Sequence, residues 1–150
     1  MNSRNKYRTI GLELTVTLDP YTAGDVVGGL LEFSSGDSSG GGITNKLRLV
    51  DEDSQPEPYK LYVFREKPSV IANDAVFAPT VADLRKLIAV IPIVEGDYVT
   101  INTFDYAHVT LEQPLVFNGN GSLWAYLVAD DTPDYANVNT LYLSFDVLQG

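Results

Sequence analysis

The chain has 150 residues, no cysteine and one histidine, which excludes a disulfide framework and the usual zinc ligand sets. Twenty acidic against ten basic residues give a formal net charge of −10, which argues against a general nucleic-acid binder, because phosphate affinity rests on Lys and Arg contacts. The length suits one domain able to bury its own core, no apolar run reaches the roughly 18 to 20 residues of a membrane span, and the polar start MNSRNKYR lacks a signal-peptide core. The expectation is a soluble protein made in the cytosol, with no membrane partner.

Residues 1–9 show no apolar period and read as an N-terminal arm, followed by one domain over 10–150. Arg4, Lys6 and Arg8 alternate with Asn5 and Tyr7, so an extended arm lines its cations along one side. Charge at a rim cannot by itself order a free segment, so Tyr7 and Ile10 are expected to bury apolar area at the same contact. These five residues, Arg4, Lys6, Tyr7, Arg8 and Ile10, form the candidate partner-binding set. The facing acidic patches would belong to a neighbouring copy or to a protein beneath.

Alternation of Leu12, Leu14, Val16 and Leu18 with polar residues predicts a first strand over 12–18. A second follows over 26–33, where Gly28 and Gly29 mark a bulge, a corner or a close backbone contact. SSGDSSGGG at 34–42 is a flexible surface tract; it lacks the Gly-Lys-Ser/Thr ending of a phosphate loop and leads into a strand at 47–50. DEDSQPEP at 51–58 reads as a solvated acidic turn, without the glycine and terminal glutamate of an EF-hand loop.

Residues 59–65 predict a buried strand, stopped by Pro68. Thr80 and Asp83 stand at capping-box spacing before a helix at 80–87, which is expected to cover one end of the sandwich. Val81, Leu84, Leu87 and Ile88 would form its apolar stripe, with Asp83, Arg85 and Lys86 outward. Pro92 assigns the next strand to an edge or a bulge. Further strands are expected at 98–102, 107–111, 114–117, 122–129 and 141–148, and the 122–129 strand looks covered on both faces. Short strands at this spacing with one brief helix predict an all-β fold, an antiparallel β-sandwich of jelly-roll type, with a Greek-key sandwich of another order as the alternative.

Catalytic residues are not found: His108 lies in a strand-like run and reads as a structural histidine, and no Gly-x-Ser-x-Gly elbow exists. Neither a metal site nor a cofactor is expected. Trp124, Tyr126, Tyr135 and Tyr142 offer rings on which a sugar could stack, so a carbohydrate-binding module is the alternative function.

The segments YTAGDVVGGLLEF (21–33), NDAVFAPTVADLRKLIAVI (73–91) and GSLWAYLVADDTPDYA (121–136), with the closing LYLSFDVLQ (141–149), resemble small virion proteins of tailed bacteriophages, the jelly-roll capsid decoration or cement proteins. The resemblance spans residues 21–149 and lies in turns and a capped helix, while the basic arm and the Ser-Gly insert depart from it. It implies a structural protein on the outer capsid surface of the virion, without chemistry, whose partners are the major capsid protein and itself, as a homotrimer rather than a dimer.

Overall fold

The computed structural model describes residues 6–34, 41–118 and 121–149, without the side chains of Lys6 and Gln149. Arg4 and residues 35–40 of the Ser-Gly tract lie outside the described residues.

Two antiparallel sheets face each other. The larger contains, in spatial order, β1 (Lys6–Leu14), β9 (Leu141–Gln149), β3 (Gly42–Asp51), β7 (Phe104–Phe117) and β6 (Tyr98–Ile101). The smaller contains β2 (Val26–Ser34), β8 (Ser122–Ala129), β4 (Tyr59–Phe64) and β5 (Leu87–Ile93). With β6 folded back on β7 as a hairpin, the other eight strands are shared between the sheets in jelly-roll order. The expected all-β sandwich is therefore the fold.

Inward residues of both sheets interdigitate. Phe145 meets Phe33 edge-on at 5.0 Å and Phe117 at 5.9 Å, and Leu47, Leu49, Leu61, Val63 and Leu143 close around them with no exposure. Each such side chain contributes about 1.5 to 3 kcal/mol when fully buried.

Several boundaries differ from those expected. The first strand spans residues 6–14 rather than 12–18, because β9 supplies an antiparallel partner from Lys6 opposite Gln149 to Leu14 opposite Leu141. Residues 6–9, read as arm, are thus part of the sheet. Val16 stays in the core beyond the strand, while Leu18 is exposed. The segments expected at 107–111 and 114–117 are one strand, β7. Its pairing with β3 jumps from Thr110 opposite Lys46 to Leu115 opposite Thr44, so Pro114 sits in a bulge where no ladder amide is needed.

The helix is a single turn, α1 (Val81–Leu84), and its faces are the reverse of those expected. Val81 is 69% and Leu84 47% exposed, whereas Asp83 is 2% exposed. Three hydrogen bonds hold that carboxylate inside, from the Ser69 amide (2.8 Å), the Ser69 hydroxyl (3.0 Å) and the Thr80 amide (3.0 Å). The capping box is present as expected, and Leu87 already belongs to β5. Pro92 does lie on an edge strand. Gly28 and Gly29 do form a bulge, with φ of +87° and +75°, where the β2–β8 register shifts.

Candidate functional site: the open face of the five-stranded sheet

The two sheets are treated differently on their outer faces. Over the smaller sheet, residues 66–80 cross back and seal a second apolar cluster of Val26, Phe64, Tyr126 and Val128, with Tyr62, Ile71, Phe77 and Trp124 packed against it. The Tyr126 hydroxyl donates to the Ser69 carbonyl and accepts the Ile71 amide at 2.8 Å, and the Lys67 ammonium stands 5.6 Å from the centre of the Trp124 ring. β8 is thus covered on both faces, as its sequence suggests. Asp83 anchors this flap through Ser69, and those hydrogen bonds hold its carboxyl down to about 2.

The larger sheet has no such cover among the described residues. Antiparallel register sorts its outer side chains into rows across β1, β9, β3 and β7. The first row is apolar: Tyr7, Leu148, Ile43 and Val116, with Tyr7 78%, Ile43 51% and Val116 56% exposed. The second is Thr9, Asp146, Lys46 and Thr110, and the third Gly11, Ser144, Arg48 and His108. The fourth is Glu13, Tyr142, Val50 and Tyr106, beyond which Val99, Ile101 and Phe104 present a second exposed apolar corner on β6 and β7. One charge pair lies in the middle: Asp146 takes an ion pair from Arg48 and a hydrogen bond from Thr9 at 3.3 Å. This face has an apolar band at each end and a charged, hydrogen-bonding centre.

The predicted partner-binding residues divide between two environments. Tyr7 opens the apolar row. Ile10 is 6% exposed, paired with Phe145 and built into the core, so the expected joint contact of Tyr7 and Ile10 does not form; the pleat sends them to opposite faces. Arg8 is half-buried and shares the parity of Ile10, as does the backbone position of Lys6, while Arg4 lies outside the described residues. Ile43 escapes sequence reading for a physical reason. By strict alternation it is in phase with Leu47 and Leu49, but the bulge between Thr44 and Lys46 rotates it outward.

The aromatic residues that suggest sugar stacking do not assemble. Tyr126 and Tyr135 are buried at 1% and 2%, Trp124 lies under Lys67, and Tyr142 is on the opposite sheet. His108 is exposed and stacks on Tyr106 at 6.5 Å, so it is a surface residue and not a core one.

The acidic turn after β3 is exposed at Glu52, Ser54 and Pro56, as expected of a solvated turn, but is anchored by a buried carboxylate at its start. Asp51 is fully buried and accepts the amides of Asp53 (2.9 Å) and Gln55 (2.8 Å), and burial pushes its carboxyl up to about 6. Asp105, 3% exposed, accepts the hydroxyls of Thr100 (2.8 Å) and Ser54 (3.0 Å). Asp53 takes the Ala136 amide and Gln55 brackets Asp134, so the loops at this end are tied together. All four oxygens of Asp51 and Asp105 are used as acceptors, and among the described residues no group of three or more metal-ligating side chains is arranged around a common point.

A cleft of about 740 Å³ opens where β5 and β7 fail to meet, floored by Ile91, Leu111, Leu115 and Leu123. Its two flanking strands carry Pro92 and Pro114, which discourage an incoming strand from adding there.

No family model matches the chain, and no curated protein sequence matches it significantly. Among solved structures, a chain from one described as the structure of a marine algae virus of the order Picornavirales overlays with a TM-score of 0.25 at 11% identity, covering 99% of this chain and 69% of that one. An overlay that loose assigns no function.

Proposed function

We propose that this chain is a non-enzymatic structural protein of a virion, which docks through the outer face of its five-stranded sheet onto the outer surface of a bacteriophage capsid and stabilises the shell. The observation that carries this reading is the asymmetry of the sandwich: one outer face is sealed by the chain's own flap, and the other has no such cover among the described residues, with exposed Tyr7, Ile43 and Val116 in one row. The segments that resemble phage decoration proteins supply the class of partner, the major capsid protein. A ligand that binds the assembled shell and not its dissociated subunits shifts the assembly equilibrium by mass action, without chemistry.

The test is to add the purified protein to phage capsids lacking it, and to measure binding and the temperature of shell disruption. Binding with a raised disruption temperature is expected, and its loss in the double variant Ile43→Lys, Val116→Lys. A variant that binds as well as the parent chain removes the face from the proposal. Absent binding to capsids together with a glycan-dependent signal on an array would replace it with sugar recognition.

A further inference from the structure

The fourth row of the open face holds a recess of about 250 Å³, at the end of the sheet where β1 and β3 finish and β9 begins. Glu13 lines it from β1 and Glu52 from just beyond β3, with Tyr142 of β9 between them and Val50 beside it. The two carboxylates thus approach from strands about 10 Å apart. Both glutamates are exposed, and among the described residues neither carboxylate has a hydrogen-bond or ion-pair partner. No lysine or arginine lines the recess, and Arg48, one pleat along β3 from Val50, is held by Asp146. Gly11 shapes the site: a β-carbon there would overlap the Tyr142 phenol, so the ring lies across β1 at that glycine. Thr140 is an independent mark of an occupant. It is 4% exposed, lines the recess, and carries a buried hydroxyl with no hydrogen-bond partner among the described residues. Such a group destabilises the empty site, a cost that a bound donor relieves.

We infer that, given the docking role proposed above, this recess takes the side chain of a lysine on the protein against which the open face docks. An ammonium has three donors and no acceptor, which suits Glu13, Glu52 and the Thr140 hydroxyl, while Val50 and the Tyr142 ring cover the methylene stem. A guanidinium is satisfied best by one carboxylate gripped by its planar fork, whereas two carboxylates on opposite sides favour the compact ammonium. A metal ion is a poorer occupant, because the recess supplies two carboxylates and among the described residues no group of three metal-ligating side chains is present. The chain leaves the described residues only at the other end of the sandwich, where Lys6 pairs with Gln149, Ser34 with Ser122 and Gly42 with Phe117.

Two measurements separate the recess from the docking role. In the first, the full chain is titrated with Nα-acetyl-lysine methylamide and followed by amide NMR. Saturable shifts at Val50, Asn139, Thr140 and Tyr142 are expected at millimolar concentration, and none with the norleucine analogue, which has the same stem without the ammonium. Glu13→Gln combined with Glu52→Gln should abolish the shifts, and Thr140→Val should weaken binding. In the second, the double glutamine variant should bind phage capsids about tenfold more weakly at an unchanged melting temperature, since both carboxylates are exposed and unpaired among the described residues. A carbodiimide should join Glu13 or Glu52 of the parent chain to a capsid lysine, identified by peptide mass spectrometry. Lysine-specific shifts without capsid binding keep the recess and overturn the docking role. Capsid binding that is equal in the double variant and yields no such cross-link overturns the lysine contact and keeps the docking face. Shifts common to the lysine and norleucine analogues, or tighter binding of the arginine analogue, overturn the recess as a lysine site.

Discussion

The phenol of Tyr21 donates to the side-chain carbonyl of Asn73 at 2.8 Å, and the same oxygen accepts the Gly28 amide at 2.8 Å. Tyr21 in turn accepts the Thr17 amide at 2.9 Å. One short side chain therefore satisfies the donor freed by the β2 bulge and fixes the buried tyrosine that joins the first turn to the flap. Asn73→Ala should cost about 1 to 3 kcal/mol in urea denaturation, since it removes the acceptor of two part-buried donors. Tyr21→Phe should cost about 1 to 2 kcal/mol. The double variant should fall short of the sum, because both changes act on one acceptor.

Gly24 and Gly28 separate conformational from packing cost. Both have positive φ, +95° and +87°, but a β-carbon on Gly24 meets open space while one on Gly28 comes within 2.9 Å of the Leu14 side chain. Gly24→Ala should lose about 1 to 2 kcal/mol, the left-handed penalty. Gly28→Ala should lose that and roughly 1 to 3 kcal/mol more for overpacking. Equal losses in chemical denaturation would mean that Leu14 moves aside freely.

The two most buried carboxylates pull stability in opposite directions with pH. The Asp51 carboxyl lies near 6, above its ordinary 3.8, so the folded chain keeps a proton there that the unfolded chain has released. Its contribution is fully present below 3.8 and is lost as pH rises through 6. The Asp83 carboxyl lies near 2, so its contribution is present above 3.8 and is lost as pH falls through 2. Asp51→Asn should flatten the decline between about pH 4 and 6 in denaturant titrations. Asp83→Asn should cost about 1.5 to 3 kcal/mol at neutral pH, and this difference should close in strong acid.

Apolar alternation revealed the strands, the buried β8, the glycine bulge and the edge position of β5, because each is written in residues that must face a core or break a ladder. Three features escaped for identifiable reasons. The start of β1 carries Lys6 and Arg8, whose place in the sheet depends on β9 at the far end of the chain. The inversion of α1 depends on Ser69, fourteen residues before Asp83, which makes the carboxylate a buried anchor. The apolar row depends on the Thr44/Lys46 register shift, which no local pattern announces. Of the predicted partner-binding residues, Tyr7 reaches the open face and Ile10 does not, since a period of two places odd and even positions apart.

β9 lies between β1 and β3, and its side chains bond to residues as far as 137 positions away, as Thr9 does to Asp146. A chain still being synthesised therefore has a gap in the middle of its larger sheet until residues 141–149 emerge from the ribosome. Until then β1 has no neighbour in its own sheet, the Arg48 charge has no Asp146, and Phe33 and Phe117 lack the ring that locks the sheets together. The last strand acts as the key to the whole sandwich, so folding is expected to be all-or-none and late, limited by the search that brings opposite ends of the chain together.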